Sequence, residues 1–190
     1  MSKLVKDMLV KYSKLAHERG LTAAFGGNFS ILFNGKIFIK STGSIMNELT
    51  RTQIAMMDFE GNSLSSIRPS SEWKLHVEVY KLRKDIRAIA HLHPPYSIVV
   101  STLLEEELPI ITPEAEVYLK KIPIVPFKPA GSWELARETA KYLEAYDAVI
   151  MENHGVVTVG KSLREAYYKT ELVEESAKLW YLKEKGIRIT

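Results

Sequence analysis

Ile86-Arg87-Ala88-Ile89-Ala90-His91-Leu92-His93-Pro94-Pro95 is a mostly apolar run that closes on two histidines and two prolines. Residues 86–91 predict a buried strand, and the prolines, which cannot donate to a sheet ladder, stop it. Side chains alternate between the faces of a strand, so His91 and His93 point the same way. Another apolar run, 148–151, is followed by Glu152-Asn153-His154-Gly155. His154 is thus predicted at a strand end too. A single histidine there would read as a hydrogen-bonded strand end, but two imidazoles on one face and a third from elsewhere make a half-built metal site with an open position.

Working outward, residues 4–18 carry apolar side chains at the 3.6-residue period and predict a helix that Gly20 ends. Asn34-Gly35 is a two-residue turn signal, so 29–33 and 36–40 read as a hairpin. Residues 54–58 read as a short strand. A helix is expected over 71–83, capped by Ser70 or Ser71 with Glu72 in its first turn. Further helices are predicted over 96–104, 113–119, 132–145 and 162–185, and further strands over 122–125, 148–151 and 156–159. No repeat or linker divides the chain, so its 190 residues are expected to form one domain. Strands that alternate with helices, hairpins among them, predict a mixed sheet with helices on both faces.

Composition excludes several classes. With 26 basic and 23 acidic residues the net charge is +3, too balanced to suggest a nucleic-acid partner. The absence of cysteine leaves histidine and carboxylate to hold any metal. No apolar stretch is long enough for a membrane span, and the charged, amphipathic start does not read as a signal peptide. A soluble cytoplasmic protein is expected.

Three imidazoles without a thiolate favour zinc, whose full charge would act as a Lewis acid. Pro69-Ser70-Ser71-Glu72 fits ordinary helix capping. The same groups would also bind phosphate, and Glu72 could reach a metal or act as a general base. Phe25-Gly26-Gly27-Asn28 and Ser41-Thr42-Gly43-Ser44 are two more small-residue loops at element boundaries. Each alone is an ordinary turn; together with Ser70 and Ser71 they could supply main-chain amides to one anion. His76, four residues after Glu72, could face the site, but a place in the core or at the surface is expected, with Trp73, Val77 and Tyr80 as the packed stripe of its helix.

Gly26-Gly27-Asn28-Phe29-Ser30, Ser41-Thr42-Gly43, Pro69-Ser70-Ser71-Glu72, His91-Leu92-His93 and Asn153-His154-Gly155, in that order, resemble the class II aldolases of the aldolase/adducin-head family, of the L-fuculose-1-phosphate type. Phe59-Glu60-Gly61-Asn62 and Thr112-Pro113-Glu114-Ala115 are similar to that family as well. The resemblance implies an α/β fold, a three-layer α/β/α sandwich around a mixed, largely antiparallel sheet. It implies one Zn2+ per subunit held by His91, His93 and His154, with Glu72 as acid/base and as a fourth ligand while substrate is absent. Gly27, Asn28, Thr42, Gly43, Ser70 and Ser71 would grip the phosphate of a sugar substrate. It further implies a homotetramer with sites between subunits, cleaving a ketose 1-phosphate to dihydroxyacetone phosphate and an aldehyde.

One feature departs from that pattern. A tyrosine is expected just after Leu108-Pro109, where this chain reads Ile110-Ile111-Thr112-Pro113-Glu114; Tyr118 is the nearest. A chain that ends soon after its last helix is also expected to lack the longer C-terminal region of L-ribulose-5-phosphate 4-epimerases. Those enzymes place Asp where Glu72 stands. Glu72 therefore favours the aldolase over the epimerase, with methylthioribulose-1-phosphate dehydratase a lesser alternative. Retention of the histidines argues against a non-catalytic adducin-like interaction module.

Overall fold

The computed structural model describes residues 2–186. Its elements run α1 (Ser2–Glu18), β1 (Asn28–Phe33), β2 (Lys36–Lys40), β3 (Ile54–Met57), α2 (Trp73–Leu82), β4 (Ala88–Leu92), α3 (Pro95–Ser101), α4 (Pro113–Leu119), β5 (Ile124–Val125), α5 (Trp133–Ala145), β6 (Ala148–Met151), β7 (Gly155–Gly160) and α6 (Leu163–Glu184). The strands form one sheet in the order β3-β2-β1-β4-β7-β6-β5. Every neighbouring pair is antiparallel except β5 and β6, which are parallel and joined through α5 as a parallel pair requires.

The predicted strand with its terminal histidines lies at the centre. β4 pairs with β1 on one side and β7 on the other, and all five of its residues are buried. Its two faces feed two layers. Ala88, Ala90 and Leu92 pack with Val5, Leu9, Tyr12, Leu163 and Tyr167 under α1 and α6. Ile89 packs with Leu75, Val79, Leu135 and Leu143 under α2 and α5. A third cluster joins α3, α4 and α6 to β5, β6 and β7. Each fully buried aliphatic or aromatic side chain stabilises the fold by about 1.5–3 kcal/mol, which is why a two-faced apolar strand belongs in the middle. The result is a three-layer α/β/α sandwich. His91, in phase with Ile89, opens towards the α2 side.

The expected hairpin, α1, α4 and the Ser132-capped α5 form as the sequence predicts; Ser132 Oγ accepts from the Leu135 amide at 3.0 Å. Three boundaries are corrected. α2 starts at Trp73 rather than 71, and neither Ser70 nor Ser71 caps it. The Ser70 amide donates to the Lys40 carbonyl at 2.9 Å and the Trp73 amide to the Ser70 carbonyl at 3.1 Å. Residues 70–72 are thus a turn tied to the end of β2, with Glu72 at the N-cap position and no capping bond from its side chain. α3 stops at Ser101, where the Ser101 and Thr102 hydroxyls donate back to the Ile98 and Val99 carbonyls. β5 is two residues long; Pro123 before it has no N–H to donate, although its carbonyl still accepts from the Ile150 amide at 2.9 Å.

Candidate active site

β4 and the turn between β6 and β7 converge at one end of the sheet. Ring centroids of His91, His93 and His154 are 4.8, 4.9 and 5.2 Å apart. One nitrogen from each ring lies within 4.8 Å of the others, so the three could hold a metal ion. The tightest pair is His91 Nε2 and His93 Nε2, at 3.1 Å. Metal–nitrogen bonds of 2.0–2.1 Å in a tetrahedral site place ligand nitrogens roughly 3.3 Å apart, so this pair fits such an ion. His91 Nδ1–H donates to the Val156 carbonyl at 3.1 Å, which leaves Nε2 with its lone pair facing the other rings.

Local sequence explains the convergence. The β6–β7 turn puts Asn153 at φ 57°, a left-handed conformation that asparagine tolerates, and the Asn153 amide donates to Ser101 Oγ at 3.0 Å. A Cβ on Gly155 would lie 2.4 Å from the Leu92 carbonyl oxygen and 2.8 Å from His93 Cδ2. A Cβ on Gly26 would lie 2.7 Å from His93 Nδ1. Both glycines let other backbone close around the end of β4. Burial lowers the basicity of all three rings: His91 falls well below the usual histidine value, His93 falls to about 4, and His154 also falls. Neutral imidazole is the form that binds a metal.

Glu72 lines the same cavity, whose volume is 270 Å³. Its Oε2 is buried and has no hydrogen-bond partner among the described residues. Burial raises its pKa, partly offset by the Gly131 main chain and Lys74. Trp73 packs edge-on against Trp133 at 5.4 Å, and Lys74 Nζ donates to the Gly131 carbonyl at 2.9 Å, which holds the 126–132 segment over Glu72. An orphaned, buried carboxylate oxygen beside three neutral imidazoles fits a cation or a proton-transfer role.

All six residues expected around an anion line this cavity: Gly27, Asn28, Thr42, Gly43, Ser70 and Ser71. Their amides are not equivalent. Those of Thr42 and Ser70 donate to the Arg68 and Lys40 carbonyls. The Gly27, Gly43 and Ser71 amides have no acceptor among the described residues.

Lys40 is a lining residue that sequence reasoning missed. It is 3 % exposed, donates to the Phe25 carbonyl at 3.2 Å, has no carboxylate partner among the described residues, and burial lowers its pKa to about 8. The available signal was a lysine ending a buried β2 just before Ser41-Thr42-Gly43. His76 is fully buried, as its core alternative anticipates. Trp73 is only partly buried, whereas Val77 and Tyr80 pack in the core. Tyr118 lies on α4, 61 % exposed, and does not line this cavity.

A sheet sandwiched by helices, with a histidine-rich cavity at one end of its central strands, defines an α/β enzyme. The family profile described as Class II Aldolase and Adducin N-terminal domain matches residues 7–181, and the chain belongs to that family. An L-fuculose phosphate aldolase of Methanocaldococcus jannaschii is 42% identical over 177 residues, covering 93% of this chain and 96% of that protein. A 3-oxo-tetronate 4-phosphate decarboxylase of Haemophilus influenzae is 33% identical, covering 93% of this chain and 86% of that protein. Among solved structures, an L-fuculose 1-phosphate aldolase superposes with a TM-score of 0.90 at 33% identity, covering 98% of this chain and 89% of the other. Among the described residues no helix is long and apolar enough to cross a membrane.

Proposed function

We propose that the chain is a zinc-dependent aldolase that reversibly cleaves a ketose 1-phosphate such as L-fuculose 1-phosphate to dihydroxyacetone phosphate and L-lactaldehyde. The observation that carries this reading is the unpartnered Glu72 oxygen, in one cavity with three neutral imidazoles and three small-residue loops. Zinc held by His91, His93 and His154 would supply Lewis-acid stabilisation of charge that develops on the substrate carbonyl. Glu72, its pKa raised by burial, would deliver a proton to the carbon left electron-rich when the carbon–carbon bond breaks, and remove it in the condensation direction. Lys40 and the Gly27, Gly43 and Ser71 amides would hold the phosphate, with Asn28, Thr42 and Ser70 beside them, so that remote binding energy orients the reacting carbons. Phe25 stands at the cavity and is 63 % exposed, which suits closure by a second subunit, as in a homotetramer. The protein would act in the cytoplasm.

The relationship to the Haemophilus decarboxylase favours one second reading, decarboxylation of a phosphorylated 3-oxo acid, which leaves electrons on the same kind of carbon. Zinc-loaded protein given L-fuculose 1-phosphate is expected to release dihydroxyacetone phosphate and lactaldehyde. Carbon dioxide from an oxo acid, epimerisation of L-ribulose 5-phosphate or dehydration of methylthioribulose 1-phosphate, without dihydroxyacetone phosphate from any ketose 1-phosphate, would overturn the aldolase.

A further inference from the structure

Behind the cavity, α2 sends one buried imidazole across two residues of β1. Asn28 and Ser30 are two apart on β1, opposite His91 and Ile89 of β4, and so share the face that His91 opens on. His76 Nε2 contacts Asn28 Oδ1 at 2.5 Å, and His76 Nδ1 contacts Ser30 Oγ at 2.7 Å. Ser30 Oγ also meets the Tyr80 hydroxyl at 2.9 Å, one helical turn beyond His76. Asn28 is 2 % exposed and lines the cavity, and its Nδ2 has no acceptor among the described residues.

We propose that His76 is a positioning residue that fixes the Asn28 carboxamide so that its NH2 group faces the anion pocket. The inference rests on the reading of that pocket as a phosphate-ester site.

The argument is one of donors and acceptors. Neutral imidazole has one N–H and one lone pair. Burial pushes His76 down to about 3, and none of its hydrogen-bond partners is acidic, so the ring is neutral. With the proton on Nε2, His76 donates to Asn28 Oδ1 and accepts from Ser30 Oγ–H, and the single Tyr80 hydroxyl proton goes to Ser30 Oγ at 2.9 Å in preference to the Arg87 carbonyl at 3.4 Å. The only acceptor atom of the Asn28 side chain then faces away from the pocket, and both amide hydrogens remain on the pocket side. With the proton on Nδ1, the chain would run in reverse and Asn28 would turn over. A carbonyl dipole would then meet the anion with its negative end. The tautomer of a ring that never touches substrate therefore sets the sign of a dipole at the phosphate. The network is fully buried, where such orientation is strongly enforced.

Nitrogen-15 NMR of the zinc-loaded full chain is expected to show His76 protonated on Nε2; protonation on Nδ1 overturns the proposal. In calorimetric titrations with inorganic phosphate, His76→Met should bind about tenfold more weakly, the scale of one misdirected hydrogen bond to an anion. His76→Gln, which keeps an amide donor, should recover most of that loss. With sugar phosphate, KM should rise more than kcat falls, whereas a general loss of packing would lower both fold stability and kcat. Adding His76→Met to Asn28→Ala should weaken phosphate no further than Asn28→Ala alone. If Asn28→Ala loses phosphate while His76→Met binds it as tightly as the parent, the positioning role fails and the phosphate pocket stands. If Asn28→Ala also leaves phosphate binding unchanged, the reading of the pocket at Asn28 fails with it. Should His76→Met not fold, the parent's tautomer still decides.

Discussion

Lys40 is where charge and burial conflict most sharply. With no carboxylate partner among the described residues, this lysine has its pKa lowered from 10.5 to about 8 because burial penalises the ammonium. Between those values the unfolded chain holds the proton more tightly than the folded one. The destabilisation is therefore fully present below pH 8 and fades as pH rises towards 10.5. The phosphate binding proposed for Lys40 would run the other way, since a dianionic ester needs the ammonium. For the free enzyme, kcat/KM should fall as pH rises through about 8, and Lys40→Met should be lower at pH 7 and lack that limb. An alkaline limb identical in both proteins would remove Lys40 from the phosphate site. Glu72 is the complementary case, a carboxyl inclined to keep its proton. Glu72→Gln should keep the fold and most of the zinc affinity while turnover drops about 10²-fold or more. Turnover close to that of the parent would take proton transfer away from this residue.

At the scale of elements, the end of β4 is shaped by what other segments lack. Gly155 brings the start of β7 against the Leu92 carbonyl, and a methyl group there would have to displace backbone. Gly155→Ala should cost about 1–3 kcal/mol, the range for overpacking, and weaken zinc binding because His93 and His154 flank the clash. Unfolding midpoints and zinc titrations would measure both effects; unchanged zinc affinity would show that the ligands do not depend on this contact. On the other face, Glu174 of α6 accepts the Tyr96 and Ser97 amides and the Ser97 hydroxyl, which secures α3 just after His93-Pro94. The β4 histidines, the Asn34-Gly35 hairpin and the Ser132 cap were legible because each depends on residues adjacent in sequence. The start of α2 was not. Ser70 and Ser71 have good capping chemistry, but the Ser70 amide is captured by Lys40, thirty positions earlier, and no local pattern records that. Lys40 was missed for the same reason. A lysine at a strand end reads as a solvated terminus until its pairing with Ile54 and the loops above it are known.

For the whole molecule, the core and the metal site are separable. Apolar side chains from all six helices and all seven strands hold the helices to both sheet faces, and the imidazoles sit at one end of that sheet. The metal-free chain should therefore stay folded, unlike a small zinc module whose core is the ion itself. Binding still links to stability. A ligand specific to the folded state and present at a thousand times its Kd adds about 4 kcal/mol. For a chain of this length each kcal/mol shifts Tm by about 2–4 °C, so chelation should lower Tm by roughly 8–16 °C. Far-ultraviolet circular dichroism at 25 °C should change little, aldolase activity should vanish, and zinc should restore both activity and Tm. Collapse of the dichroism spectrum on chelation would mean that the imidazoles support the fold as well as the chemistry. Full turnover in the metal-free protein would leave, among the described residues that line the cavity, Glu72 for the reacting carbons and Lys40 for the phosphate, and a mechanism without a Lewis acid would have to be built from those two.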